Sequence, residues 1–422
     1  MVTRIILGMS TLQVMSTTTT PTTLIASPRL KGYEEKGIHI VHCPYVERQG
    51  AEPLRQKSGG NNSGVTEERN DVAPYQHTAF SIEELFSDDN VWDSMMKRRK
   101  GVSWKPSVKQ FVLNGCSECS KMSKRIIDGT WKNGRPHEIT ISYPKKRKGL
   151  AIRFPDRVYQ GILNDEVLYP EMTRRFIYAN MACQKGKGPD KARELLKKYI
   201  RNHYHNHGTD GYVLQIDITG YYPNMRHDKV KACFGRYIQP DVMRLVSDVL
   251  DQQYVGDVGY NPGSQMVQIA GISLLNGIDH HIKEKLMVKH YIRYMDDFLL
   301  IHESREYLEH CLCVIKSMLA DLGLFVSEKK THITPLRKGF MFLGFKWRIT
   351  ETGRILLFVD PKTVKHERKK LYRLVSKAKR GDITKEKVEE CYQSWKAHAE
   401  HGDSYLLLKR LDRYYEELWR TL

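Results

Sequence analysis

Residues Tyr291 to Ile301 read Tyr-Ile-Arg-Tyr-Met-Asp-Asp-Phe-Leu-Leu-Ile, two apolar, strand-forming runs that meet at a pair of aspartates. Aromatic and branched residues on both sides of a short polar break predict a β-hairpin. Two adjacent carboxylates cannot be buried inside a sheet without partners, so they belong at its turn. A second run, Val213-Leu214-Gln215-Ile216-Asp217-Ile218, reads as a buried strand that ends in an acid. Pairing of these strands would bring three carboxylates together at one end of a sheet. An Asp-Asp pair alone says little, since Asp88-Asp89 is another; two acid-tipped strands in this order say more. Helical stretches before and after each strand predict an α+β sheet with helices packed on one side.

Converging carboxylates suit phosphoryl transfer from a nucleoside triphosphate. Two divalent ions roughly 3.5–4 Å apart can stabilise both the attacking and the leaving oxygen of an in-line displacement. Magnesium prefers oxygen ligands and keeps several waters, so a few aspartates and the substrate phosphates suffice to hold it. The rest of the chain supplies a polyanion-binding character. Its 68 Lys and Arg against 49 Asp and Glu give a formal net charge of +19, which favours nucleic acid as a partner. The eight cysteines are too few and scattered for a disulfide framework. Cys116-Ser-Glu-Cys119 has zinc-ligand spacing but no matching second pair. No run approaches the roughly 18 apolar residues of a membrane span, and the expectation is a soluble, cytoplasmic protein.

With 422 residues the chain exceeds the usual single domain, so a main globular unit with appended pieces is expected. Residues 1–75 carry a threonine tract and a Gly/Asn/Ser stretch, neither of which supports a packed core, and disorder is expected there. Ser81, followed by Glu83-Glu84, looks like a helix start. Lys97-Arg98-Arg99-Lys100 reads as a solvated face with phosphate contact as the alternative. Strand-like runs His137 to Tyr143 and Leu150 to Phe154 flank a basic connection, and helical periodicity follows over Asp156 to Tyr178 and Pro189 to His203. From Lys365 onward the chain is basic and helical, with a turn at Gly381-Asp382.

At the acids, the sequence resembles a known family. Tyr294-Met295-Asp296-Asp297 matches the Tyr-x-Asp-Asp box of reverse transcriptases, and Asp217-Ile218-Thr219-Gly220-Tyr221-Tyr222-Pro223-Asn224 looks like that family's first catalytic box. The resemblance implies a right-hand polymerase: residues 76–212 an N-terminal extension and fingers, 213–347 a palm, its antiparallel sheet backed by helices, and 348–422 a basic helical thumb. Asp217 and Asp296 would bridge two Mg2+ ions, with Mn2+ as an alternative, while Asp297 assists. Tyr222 would be a steric gate against the ribose 2′-hydroxyl, the group that separates the two sugars; a core aromatic is the plainer alternative.

Further stretches extend the resemblance. Pro155-Asp156-Arg157-Val158-Tyr159-Gln160 is similar to a fingers segment, and Lys145, Arg147, Lys148 and Arg153 fall where the family grips the triphosphate. Arg147 leads, because a guanidinium contacts phosphate bidentately. Ala182 to Gly188 looks like a Lys-Gly-x-Gly segment, which puts Lys185 and Lys187 near primer or template. Gly263-Ser264-Gln265-Met266-Val267-Gln268 resembles the box that supports template and nucleotide, with Gly263 and Gln268 as contacts. Val267 departs from the serine usual there, and Pro262 precedes the glycine where other members carry Gln or an aliphatic residue. Ser327-Glu328-Lys329-Lys330-Thr331 resembles the lysine motif; Lys330 is either a proton donor to departing pyrophosphate or a surface lysine in a turn. Leu343-Gly344 looks like the primer grip. Ser394 to Tyr405, then Leu408, resembles a thumb ending, and Arg368, Lys369, Lys370, Arg373, Lys377, Lys379 and Arg380 could track a duplex backbone, with Trp395 and His398 read as core.

The boxes run in order from about Ile126 to Tyr405. They imply an RNA-directed DNA polymerase whose partners are template RNA, a DNA primer or product, deoxynucleoside triphosphates and a dedicated non-coding RNA. The fit is closest to stand-alone bacterial enzymes of antiphage defence or of diversity-generating retroelements, with Val267 tilting it toward defence. Template-independent or protein-primed synthesis, and a non-catalytic RNA-binding scaffold, are the competing readings.

Overall fold

The computed structural model describes residues 80–141, 147–254, 256–260 and 263–422, with the side chains of Arg147 and Gln253 also outside the description. The N-terminal stretch expected to be disordered, Lys145 and Pro262 therefore lie outside the described residues, as does the side chain of Arg147.

Helices come first. The Ser81 hydroxyl accepts the Glu84 N–H at 3.4 Å and starts α1 (Ile82–Leu85), as its residue pattern predicts. α2 (Asp88–Arg98), α3 (Pro106–Leu113) and α4 (Gly115–Ile127) follow. Cys116 and Cys119 share α4 but not an environment: Cys116 is exposed, while Cys119 is buried with its sulfur 3.8 Å from that of Met95. Burial pushes the Cys119 thiol up to about 11, which suits a packing residue and not a metal ligand. β1 (His137–Ile141) and β2 (Arg147–Ala151) form a two-stranded antiparallel ribbon. The second strand ends sooner than its sequence suggests, because Pro155 stands in the first turn of α5 (Phe154–Ile162), where its missing N–H costs nothing. A π-helical stretch, Leu163–Leu168, and α6 (Tyr169–Thr173) complete the predicted helical run. Within the basic run, Arg98 packs inward, donating to Gly161 O at 3.1 Å and pairing with Asp165 at 2.9 Å, so it braces α2 against α5. α7 (Pro189–His207) then leads into the central sheet.

That sheet has the order β4-β5-β3-β6, built from β3 (Tyr212–Ile216), β4 (His290–Tyr294), β5 (Asp297–His302) and β6 (His332–Pro335). Its pairings are antiparallel. Helices α8 (Tyr221–Asn224), α9 (His227–Gly235), α10 (Pro240–Gln253), α11 (Gln265–Leu274) and α12 (Asn276–His280) lie between β3 and β4, and α13 (Arg305–Asp321) follows β5. Alternate residues face two different cores. Leu214, Ile216, Tyr291, Phe298 and Leu300 pack with Leu308, Cys311 and Ile315 of α13. Val213, Ile292, Leu299 and Ile301 pack with Leu196 and Ile200 of α7 and with Trp347. The sheet is thus covered on both faces, not on one side as its flanking helices suggest. The signal lies in β5, where Phe298 to Ile301 are all buried: a half-exposed strand would alternate, and a continuous apolar run marks two buried faces.

β7 (Phe340–Phe342), β8 (Phe345–Ile349) and β9 (Ile355–Val359) form a three-stranded sheet that supplies Trp347 to the second core. The boundary expected between residues 347 and 348 falls inside β8, because that strand is needed to close the core. α14 (Pro361–Lys379), α15 (Lys385–Ala399) and α16 (Tyr405–Thr421) pack around Leu371, Val375, Tyr392 and Leu411. The turn between α14 and α15 falls at Gly381, whose φ is +82°.

Candidate active site

β3 and β5 bring the acids together. Ile216 is the register partner of Phe298, so Asp217, one residue on, stands across from Asp297 at the same sheet end. Tyr294 pairs with Asp297, which leaves Met295 and Asp296 as the two residues of the β4–β5 turn. Met295 adopts φ +57°, and such turns join strands of natural twist but rarely use a residue with a side chain there. Two contacts hold it. The Cys183 sulfur lies 3.5 Å from that of Met295, and Arg293 Nη1 donates to the Met295 carbonyl at 2.8 Å.

Arg293 is itself wholly buried. Its Nε donates to Asp279 Oδ1 at 2.7 Å and Nη2 to Asp279 Oδ2 at 2.5 Å, while Nη2 also reaches Ile272 O at 2.9 Å. Asp279 is buried as well and accepts the Tyr291 hydroxyl at 2.6 Å. A buried charge pair satisfied this fully fixes the turn that carries Asp296 to α11 and α12. Sequence reasoning missed this role. The available signal was an arginine inside an apolar strand, which demands a buried partner.

Asp297 opens to solvent yet stands in a crowded cleft. That crowding, then the charges of Asp296 and Asp217, pushes its pKa up to about 7, against the opposing pull of Lys330. An oxygen-only cluster that repels itself in this way fits hard divalent cations, which would relieve the repulsion. Lys330 Nζ lies 2.9 and 3.0 Å from the two Asp217 oxygens. The turn bearing it is pinned to the end of β3: Ser327 N–H donates to Asp217 O at 2.7 Å, and Asp217 N–H to Thr331 Oγ1 at 3.3 Å. The ion pair raises the Lys330 pKa, chiefly through the hydrogen bond to Asp217.

Tyr222 sits half-buried on α8, and its ring lies against α11 at Gly271. A Cβ added to Gly271 would come 3.0 Å from the Tyr222 oxygen and 3.3 Å from two ring carbons. Burial raises the Tyr222 pKa, so its hydroxyl stays protonated. Gln268 is one turn before Gly271 on α11, partly exposed, whereas Val267 is wholly buried in the core.

The remaining candidates divide. Lys148 is exposed on β2, 3.6 Å from Glu138. Arg153 is committed to the buried Asp156, through Nε at 2.9 Å and Nη2 at 3.2 Å, where it fastens the start of α5. Lys187 turns inward: its ammonium donates to Asn180 O at 2.8 Å and Tyr178 O at 3.0 Å, and burial lowers its pKa. Lys185 stays exposed, its ammonium 5.3 Å from the Tyr169 ring centre. Gly263 permits a close approach to β2, since a Cβ there would lie 2.7 Å from Leu150 O. Leu343 (φ +49°) and Gly344 (φ +82°) form the tight turn between β7 and β8. His398 packs its ring 5.0 Å from Phe345. On α14, Lys365, Arg368, Lys369 and Arg373 line a groove of about 640 Å³ with Tyr372 of the same helix and Tyr414 of α16. A larger concavity of about 880 Å³, lined in part by Arg174, Arg175, Lys229 and Arg236, is lined by none of the three acids.

Residues 151–347 match the family model described as reverse transcriptase (RNA-dependent DNA polymerase). No curated protein matches the chain. Among solved structures, it is similar to telomerase from Candida albicans in complex with a fragment of telomeric RNA, at 13% identity and a TM-score of 0.42, covering 68% of this chain and 55% of that one. It is similar also to apo telomerase from Candida tropicalis truncated from its C-terminal domain, at 13% identity and a TM-score of 0.40, covering 53% and 54% of the two chains. The chain spans about half the length of each.

Proposed function

We propose that this chain, whose residues 151–347 are a reverse transcriptase domain with the α+β fold of a right-hand polymerase, extends a primer 3′-hydroxyl with deoxynucleotides copied from RNA. The observation that carries the reading is the convergence of Asp217, Asp296 and Asp297 at one end of paired strands, where loss of hydration first, and the two neighbouring charges second, push Asp297 up to about 7. Reverse transcriptases use divalent metal ions, and Asp217, Asp296 and Asp297 would hold them here. Two such ions supply Lewis-acid stabilisation of the attacking and leaving oxygens; we assign Mg2+, with Mn2+ able to substitute.

Each residue near the acids then has a task. Arg293 and Cys183 keep the Met295–Asp296 turn in the conformation that aims Asp296 at Asp217. Tyr222, braced on Gly271, limits space at the sugar's 2′ position. Lys330 holds Asp217 until substrate arrives and can then deliver a proton to pyrophosphate. The triphosphate grip falls to exposed Lys148 and to the β1–β2 connection, because Arg153 is already paired. In the assignment of regions, residues 76–212 supply the N-terminal extension and fingers, 213–347 the palm and 348–422 the remainder of the β7–β9 sheet and the thumb.

The test is divalent-ion-dependent incorporation of labelled deoxynucleotides on a primed RNA template, comparing the native chain with Asp296→Ala/Asp297→Ala. Incorporation by the native chain alone is expected. Folded native protein that incorporates nothing, with added RNA or with RNA carried through purification, would favour the non-catalytic scaffold instead.

A further inference from the structure

The sheet end opposite the acids carries a second constellation. His203 and His207 lie four residues apart on α7 and so share one helix face. Glu303 follows directly on β5. Ligand atoms of His203, His207 and Glu303 all lie within 4.8 Å of one another, close enough for small side-chain rotations to bring them around one ion. Tetrahedral zinc takes nitrogen and oxygen ligands at about 2.0–2.2 Å.

The surroundings orient each ligand. His203 Nε2 lies 2.6 Å from the Asp210 carbonyl, which can only accept, so that nitrogen carries the proton and Nδ1 the lone pair. Gly211 makes this contact possible: at φ +124°, a Cβ there would strike the His203 ring at 2.5 Å. His302 Nδ1 accepts the Ser304 N–H at 3.1 Å, so its Nε2 carries a proton, and that nitrogen faces Glu303 Oε2 at 3.6 Å. His207 Nε2 lies 3.7 Å from the same oxygen. An imidazole held by a carbonyl, as His203 is, and a further imidazole N–H standing 3.6 Å from the carboxylate, as His302 does, are placed where outer-shell contacts orient the ligands of metal centres.

We propose that His203, His207 and Glu303 bind one zinc ion, with water completing a tetrahedral set. Two imidazoles and one carboxylate suit zinc, whereas the all-oxygen acid cluster suits magnesium, so the two sites sort their ions by ligand chemistry. The zinc ties the end of α7 to the end of β5. These two elements lead into Asp217 and away from Asp297, so the ion braces both catalytic strands from the end remote from the chemistry.

The untagged full chain, stripped with chelator and dialysed, is titrated with Co2+ as a spectroscopic probe and then with Zn2+ in competition. One equivalent of Co2+ with the visible absorption of a four-coordinate site, displaced by Zn2+, is expected. His207→Ala and Glu303→Gln, both at exposed positions, should each abolish that spectrum, and His302→Ala should weaken binding by about 10- to 100-fold. Asp296→Ala/Asp297→Ala should leave the spectrum intact. Zinc should raise the melting temperature of the native chain but not of His207→Ala or Glu303→Gln, whose metal-free melting should equal that of the native chain. No saturable Co2+ binding by the native chain, or a spectrum unchanged in both His207→Ala and Glu303→Gln, would overturn the proposal.

Discussion

Replacing Asp279 with asparagine leaves the Arg293 guanidinium fully buried without its counter-charge. Removing one member of a buried pair costs about 3–5 kcal/mol, because the remaining charge loses its compensation while its desolvation persists. Asp279→Asn should therefore destabilise the fold by roughly that amount. Removing the pair altogether should not. In Asp279→Leu/Arg293→Met neither charge of the pair is left behind, but the Tyr291 hydroxyl loses its acceptor, at about 1–3 kcal/mol. Adding Tyr291→Phe removes that orphan, so the triple variant should recover most of the native stability. Its polymerase activity should stay low, because the Met295 carbonyl has still lost its donor and the left-handed turn beneath Asp296 can relax. A displacement on the order of 1 Å at a reacting group costs about 100-fold in rate. Urea denaturation of the four proteins gives the stabilities, and single-nucleotide incorporation gives the rates. A loss under about 1 kcal/mol in Asp279→Asn would refute the buried-charge reasoning. A triple variant with native stability and native rate would refute the positioning role of Arg293.

Other expectations follow from the site. Asp297 has its pKa raised to about 7 by crowding and neighbouring charge, so the folded state holds its proton longer than the unfolded chain does. Without metal, its contribution to stability should fall as pH rises from the ordinary aspartate range through about 7. Asp297→Asn should flatten that decline in chelator-treated protein, as read by melting temperature against pH; identical profiles would contradict the crowding. Gly271→Ala should push the Tyr222 ring aside, and Tyr222→Val should remove it; both should raise ribonucleotide incorporation relative to deoxynucleotide, the second by about tenfold or more. Lys330→Ala frees Asp217, so the divalent ion's apparent affinity should tighten while the maximal rate falls by about 100-fold or more. Lys330→Arg should keep a charged partner for Asp217 yet fail to restore the rate, because a guanidinium does not give up its proton. Lys187→Met should lower stability through the lost carbonyl contacts while leaving the salt dependence of RNA binding unchanged, since that ammonium faces protein.

The acids were legible in the sequence because their constraint is local. An apolar strand cannot hold an unpaired aspartate, so Asp217 and Asp296–Asp297 had to mark strand ends, and burial of both faces of β5 was written in the continuous apolar run Phe298 to Ile301. The Ser81 cap and the Pro155 helix start were likewise fixed by side chains acting within one turn. What the tertiary structure decided are properties that depend on neighbours distant in sequence. Arg153 and Lys187 have the composition of phosphate ligands, but Asp156 and the Asn180 carbonyl reach them first. Arg293 and Asp279 are 14 residues apart, and Lys330 and Asp217 are 113 apart, so no periodicity links them. The same holds at the other end of the sheet, where the spacing of His203 and His207 is visible on α7 but Glu303 joins them only when β5 pairs with β3. A charge's role is set by which opposite charge the fold places within a few ångströms, and that is a property of chain topology and not of sequence spacing.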